Sequence, residues 1–160
     1  MGSCNGTTTP KDRLVGVDVS RGMVERCRAS GQYNEVLLGS IQDILPGLST
    51  YDHIVCLSVL HFLTAPELSL VLARCFQLAR LSLTVSMDEV PNNQAQGPDI
   101  PAGLSMESFS HIDEAMAFGI PPGWQLVCRK RRLTCVSPLC GDRIHTTVLR
   151  YEKLKRSDIV

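Results

Sequence analysis

The chain has 160 residues, a length that suits one domain with one hydrophobic core. Apolar residues make up 44% of it and charged residues 20%, which is typical of a globular protein and excludes an intrinsically disordered one. The 16 basic side chains are balanced by 16 acidic ones, which excludes a general electrostatic attraction to nucleic acid or to an anionic membrane. No stretch reaches the roughly 18 apolar residues that a membrane span needs. Because no signal peptide is visible either, we expect a cytoplasmic protein.

The pattern of the first half alternates short apolar runs with a helical segment. Leu14 to Val19 predicts a buried strand, and Ser20 is a suitable N-cap for the helix that follows. Gly31 ends that helix. Glu35 to Leu38 predicts a second strand.

The second half carries stronger signals. Tyr51 to Leu60 is a near-continuous apolar run, typical of a strand covered on both faces. Thr64 and Glu67 form a capping box that opens an amphipathic helix. The remaining pattern predicts a strand over 81–87, a long loop over 91–103, a short helix between Ser110 and Gly119, and an antiparallel hairpin of strands 124–137 and 143–153.

Together these elements predict an α/β fold with helices on both faces of the sheet. We assign residues 1–13 to a flexible N-terminal tail and residues 14–160 to a single domain. On sheets of this kind, ligands bind beyond the carboxyl ends of the strands.

The seven cysteines are scattered singly, with no Cys-x-x-Cys pair. Cys27, Cys56 and Cys75 lie in apolar patterns, so we interpret them as free thiols packed in the core of a protein from a reducing compartment. Cys140 lies in a predicted turn and is expected to be the most exposed. Histidines, cysteines and acids never meet at metal-ligand spacing, so we predict no metal.

The stretch from Leu14 to Arg28, LVGVDVSRGMVERCR, resembles the class I S-adenosylmethionine-dependent methyltransferases, and the resemblance extends to about Lys153. It implies that Asp18, at the end of a strand, holds the ribose hydroxyls and that Met23 lies along the adenine. With Ser20 and Ser40, these residues form the implied cofactor-binding set. The resemblance also implies that Ser58 to Phe62 borders the methionine end and the substrate.

Two departures from that family bear on function. Residues 1–13 are too few for the family's first strand and Gly-rich turn, so we expect a truncated, doubly wound Rossmann-like methyltransferase sheet with a C-terminal antiparallel hairpin. Ser40 stands where the family often has an acid that reads the adenine. The missing strand normally separates the strands at Leu14 and Asp52. Those strands therefore either pair directly or leave apolar edges, and we expect a homodimer that covers the open edge.

Three residues are candidates for acid–base catalysis. His61 follows the strongest strand, and Asp88 and Glu89 follow the strand that ends at Met87, so all three are expected at the carboxyl edge of the sheet. The alternative for His61 is a structural histidine whose hydrogen bonds are satisfied at the start of a helix. The alternative for Asp88 and Glu89 is that they are ordinary solvated acids in a loop.

Ser58, His111 and Trp124 are expected to contact substrate, a small molecule. The alternative is a solvated helix start for His111 and a core side chain for Trp124. Asp18 has an alternative role as an acid near the positive end of the next helix. We interpret the basic run from Arg129 to Arg132 as edge-strand charges that oppose aggregation, and we expect no nucleic-acid partner.

Three functions remain open from the sequence. We favour a small-molecule enzyme that has lost methyl transfer, needs no cofactor and promotes cyclisation or isomerisation by positioning and acid–base help. The first alternative is a methyltransferase that binds S-adenosylmethionine in a site completed by a second chain. The second is a non-catalytic, methyltransferase-like subunit.

Overall fold

The computed structural model describes residues 13–89, 110–136 and 141–155. The predicted tail up to residue 12, the predicted loop over 91–103 and Cys140 lie outside these ranges. Within the span expected as one domain, chain contacts separate two compact units, one up to Gly47 and one from Leu48. No helix in the described ranges is long and apolar enough to cross a membrane.

The first unit contains a two-stranded parallel sheet with one helix connecting its strands. Ser20 caps that helix, since its Oγ accepts a hydrogen bond from the Met23 N–H. Gly31, with φ of 66°, follows the helix in the left-handed conformation that closes many helices. The elements are β1 (Val15–Asp18), α1 (Arg21–Ala29), β2 (Glu35–Leu38), α2 (Ile41–Ile44) and a 3₁₀ turn (Leu45–Gly47). The sequence predicted the first three and missed the last two.

The second unit is a four-stranded mixed sheet with two helices. Its elements are β3 (Tyr51–Cys56), a 3₁₀ turn (Leu60–Phe62), α3 (Ala65–Leu78), β4 (Ala79–Glu89), α4 (Ile112–Phe118), β5 (Trp124–Val136) and β6 (Arg143–Lys153). The strand order is β3-β4-β6-β5, with β3 and β4 parallel and the other two pairs antiparallel. The predicted hairpin and the α/β class are therefore confirmed.

Helix α3 supplies the core of the second unit. The predicted capping box is present, because Glu67 accepts hydrogen bonds from the N–H and the Oγ1 of Thr64, both at 2.8 Å. The Phe76 ring packs edge-on against Trp124 and Tyr151, at 5.2 and 5.0 Å between ring centroids. Leu83 on β4 and Leu149 on β6 are fully buried.

Strand β3 is not covered on both faces as its sequence predicted. Cys56 is buried, but the side chain of Val55 is 62% exposed. Neighbouring residues of a strand point to opposite faces, so an apolar run is no proof of two covered faces. Among the described strands, β1 pairs only with β2 and β3 only with β4.

The short helix predicted between Ser110 and Gly119 is present as α4, and its N-cap is His111 rather than Ser110. The exposed thiols in the described ranges are Cys128 and Cys135 on β5, whereas Cys56 and Cys75 are buried and Cys27 is half-buried. Burial raises the pKa of Cys56 and of Cys75 to about 12, so both remain protonated thiols.

Candidate functional site

A polar cluster lies at the carboxyl edge of the sheet in the second unit. Because β3 and β4 are parallel, the segment after β3 and the end of β4 meet at this edge. Ser58 has a φ of 54°, and its N–H donates to Ser86 Oγ at 2.8 Å, which ties the segment to β4. This link brings His61, in the following 3₁₀ turn, against Asp88.

His61 and Asp88 form a buried contact. The His61 Nδ1 lies 3.3 Å from Asp88 Oδ2, and the two side chains are 10% and 13% exposed. The two atoms are in contact, but Nδ1 has no hydrogen-bond partner among the described residues. Burial lowers the pKa of His61 and outweighs the opposing effect of the Asp88 charge, and His111 lowers it further. The imidazole is therefore neutral at pH 7.

The second oxygen of Asp88 is held by a chain of hydroxyls from the hairpin. Thr146 Oγ1 donates to Asp88 Oδ1 at 2.5 Å, and Thr134 Oγ1 donates to Thr146 Oγ1 at 2.5 Å. With Oδ1 engaged in this way, Oδ2 is directed to His61. Sequence reasoning missed both threonines.

Glu89 does not join the cluster. It lies on β4 next to Asp88, so its side chain points to the opposite face of the strand. There it receives two hydrogen bonds from Arg131, at 2.8 and 2.7 Å. These bonds lower the pKa of Glu89. The structure thus places the two predicted acids on opposite faces of β4, and Glu89 forms an ion pair with Arg131.

His111 is a buried side chain. It is only 3% exposed, which excludes the solvated helix start considered from the sequence. Its Nε2 donates to the carbonyl oxygen of Leu63, which links the start of α4 to the segment after β3. This contact places His111 beside the cluster, and its predicted contact with substrate remains a prediction.

Trp124 lies at the other edge of the sheet. It pairs with Lys153, whereas Asp88 pairs with Thr146, seven positions further back on the same strand β6. At about 3.3 Å per residue, the two sites are roughly 20 Å apart. Trp124 is buried against Phe76, so the structure favours the core role over the predicted substrate contact. A shallow depression lies at that far edge, lined by Ala73, Phe76, Gln77, Phe118, Pro121 and Trp124.

The predicted cofactor residues lie together in the first unit. Asp18 ends β1, and its Oδ1 accepts from the Ser20 N–H at 2.7 Å. Gly39, which follows β2, donates its N–H to the Asp18 carbonyl, so Ser40 follows at the same edge. Met23 is 45% exposed. Ser40 Oγ caps α2 by accepting from the Asp43 N–H, and it donates to Asp43 Oδ2 at 2.6 Å.

These residues fit the adenosine half of S-adenosylmethionine. The half-buried Asp18 carboxylate can accept from ribose hydroxyls, and the Met23 thioether offers an apolar surface to a flat base. The Ser40 hydroxyl is already engaged by Asp43. Residues 13–47 hold no Gly-rich turn for the carboxypropyl end of the cofactor. In the described ranges, no three histidine, cysteine or acidic side chains are grouped to hold a metal ion.

A family model described as a methyltransferase domain matches residues 5–81, the part that carries the strand-end acid and the strand before His61. Over that span the chain is similar to the methyltransferase-domain family. No curated protein matches the sequence.

Solved structures show the same fold. Magnesium protoporphyrin IX methyltransferase from Synechocystis with bound S-adenosylmethionine has a TM-score of 0.62 at 15% identity, covering 88% of this chain and 59% of that one. TehB from Haemophilus influenzae has a TM-score of 0.59 at 13% identity, covering 89% of this chain and 50% of that one. The N-methyltransferase NodS from Bradyrhizobium japonicum has a TM-score of 0.57 at 12% identity, covering 89% of this chain and 74% of that one. At these identities the likeness shows the fold alone. The chain spans about three fifths of the length of the Synechocystis enzyme.

Proposed function

We propose that this methyltransferase-like chain is a small-molecule enzyme in which His61 and Asp88 act as a general acid–base pair. The observation that carries the proposal is their buried contact, with 3.3 Å between His61 Nδ1 and Asp88 Oδ2. It lies at the sheet edge where α/β proteins bind ligands. Such contacts are often long in the absence of substrate and shorten when substrate binds.

The chemistry follows from the protonation state of the imidazole. Neutral His61 can accept a proton from substrate on Nε2, and the resulting imidazolium is stabilised by the Asp88 carboxylate. The proton can then return to another atom of the same substrate, which completes an isomerisation or the proton transfer of a cyclisation. This sequence needs no cofactor, since no electrons or groups leave the substrate.

The surroundings of His61 favour an apolar substrate. The Phe62 ring lies 3.9 Å from the imidazole, centroid to centroid, and Phe62 is 41% exposed. Leu57, just after β3, is 52% exposed. An apolar carbonyl compound with an acidic carbon-bound hydrogen would bury these side chains and present its proton to the histidine.

Deuterium exchange tests the acid–base role without knowledge of the product. The purified chain is incubated in D₂O with a panel of apolar ketones and enones, and label in the recovered compounds is measured by mass spectrometry. We expect at least one compound to exchange, with the rate lost in His61→Ala and kept in His53→Ala. His53 is the matched control because it lies outside the cluster, bonded to Ser82.

Each outcome of that experiment is informative. Exchange that needs His61 and no cofactor supports the proposal. A rate that survives His61→Ala overturns the assigned role. If no compound exchanges and no methylated product forms with S-adenosylmethionine, the enzyme proposal fails and the non-catalytic subunit is favoured.

The Asp18 carboxylate at the end of β1, together with the exposed Met23, favours a second candidate, a methyltransferase whose cofactor site is completed by another chain. When bound, the cofactor would supply a methyl group from its sulfonium. Asp18 would hold the ribose and Met23 the adenine. Calorimetric titration with S-adenosylhomocysteine tests this binding directly, with Asp18→Ala expected to abolish it and Glu25→Ala, elsewhere on α1, expected to leave it intact. If the folded chain does not bind S-adenosylhomocysteine, the chain by itself, including any homodimer it forms, is not a methyltransferase.

A further inference from the structure

We propose that the outer edge of β5 binds an acidic peptide in an extended conformation. In the order β3-β4-β6-β5, β5 is a terminal strand, and its outer edge has no strand partner among the described residues. The strand has 13 residues, about twice the usual length. Such an edge presents a row of main-chain N–H and C=O groups to which another strand can pair.

The exposed part of β5 runs from Val127 to Val136, where every residue is solvent-exposed. An internal strand of this length would bury one of its faces. In this part of β5 the residues of both faces are exposed, and they include the large apolar residues Val127, Leu133 and Val136, which are 43%, 51% and 55% exposed. An added strand with apolar residues near its ends would cover part of this surface.

The charge of the strand selects the partner. Residues 129–132 are four consecutive cations, and of these only Arg131 forms an ion pair with a described residue, Glu89. Arg129, Lys130 and Arg132 form no ion pair with any described residue. Lys130 and Arg132 share one face of the strand and Arg129 lies on the other, because neighbouring side chains alternate. An acidic strand laid alongside would place carboxylates next to cations on both faces.

The same charges argue against two other occupants. A second copy of β5 would bring like charges together, which is unfavourable, so the cations oppose self-pairing while they attract an acidic strand. Single-stranded nucleic acid is usually held by bases stacked on aromatic side chains. The exposed part of β5 contains no aromatic residue. This inference does not depend on the acid–base proposal, since it concerns the hairpin edge and not His61.

Fluorescence anisotropy on the full chain tests the proposal. The probe is a labelled peptide of about ten residues, with consecutive Glu residues in the middle and Val and Thr near the ends, so that carboxylates lie on both faces and the peptide spans the exposed part of β5. One control peptide has Gln at every Glu position. A second keeps the glutamates but carries N-methyl groups at alternate amides, so that it cannot pair as a strand. The third control ligand is a labelled single-stranded oligonucleotide of similar length.

We expect saturable binding of the acidic peptide, weaker at high salt, and loss of binding for both control peptides. Reversal of Lys130 and Arg132 to Glu should weaken binding by at least about tenfold. The matched control, Arg21→Glu with Arg26→Glu on α1, should leave it unchanged. The amides of β5 should also gain protection from hydrogen exchange when the acidic peptide is bound.

Four results would overturn the proposal: no binding, equal binding of the Gln peptide, equal binding of the N-methylated peptide, or tighter binding of the oligonucleotide. The urea midpoint of each variant is measured first. The reversed residues are exposed and make no contact in the core, so their midpoints should match that of the wild type.

Discussion

The substitution Leu83→Ala probes whether β4 is the buried centre of the second unit. Leu83 is 0% exposed. The change deletes three side-chain carbons, worth about 2.4 kcal/mol at roughly 0.8 kcal/mol each. A residual cavity of about 50 Å³ adds roughly 1 kcal/mol, so the free energy of unfolding should fall by about 3 to 4 kcal/mol. Trp124 is the only tryptophan and is buried in this unit, so its fluorescence during urea titration reports the unfolding of this sheet.

The matched control is Leu81→Ala on the same strand. Leu81 is 52% exposed, so about half of the transfer term applies and no cavity forms. The cost should be roughly 1 kcal/mol. Equal losses for the two variants, or a larger loss for Leu81→Ala, would refute the burial that the structure assigns to β4.

Four further predictions concern the candidate site and the open edge. Asp88→Asn should lower the pKa of His61 further, measured by proton NMR titration, and should slow deuterium exchange by about a hundredfold or more. Because the pKa of His61 is already below its unfolded value near 6.5, the unfolded chain binds more protons as pH falls below that value. Stability should therefore drop below pH 6.5, by at most about 1.4 kcal/mol per pH unit from this group, and His61→Gln should flatten the drop in urea titrations at pH 7 and 5.5. Thr146→Val leaves Asp88 Oδ1 without its donor; it should cost about 1 to 3 kcal/mol in a urea titration and should lower the exchange rate at saturating substrate more than it changes the apparent substrate affinity. If a homodimer forms through β3, Val55→Asp should shift the mass measured by sedimentation towards the monomer, and an unchanged dimer would place the interface elsewhere.

The sequence predicted the type of most elements because their boundaries carry local signals. Ser20 and Gly31 delimit α1, and Thr64 with Glu67 opens α3, as the hydrogen bonds of both N-caps confirm. His61 and Asp88 could be expected near each other, since both follow parallel strands.

What the sequence could not supply was register and strand length. It ended β4 at Met87, but the strand continues through Glu89, and alternation then sends Asp88 and Glu89 to opposite faces. Thr146 supports Asp88 only because of the pairing of β4 with β6, and no periodicity along the chain fixes that pairing. Only the pairing of β5 with β6 shows that Trp124 lies at the sheet edge opposite to His61, and the order of elements along the chain does not fix that position.

The central position of β6 has a consequence for synthesis of the protein. Asp88 and Thr146 are hydrogen-bonded although they are 58 residues apart in sequence, and among the described strands β5 pairs with the rest of the sheet only through β6. While the ribosome is still translating the codons for β6, β4 and β5 therefore have no strand between them. The nascent chain then exposes apolar strand edges for the seconds that translation takes, a state that chaperones recognise. Premature termination before Arg143 should for this reason yield an aggregating product, while the two-stranded sheet of the first unit has all its strands by Leu38.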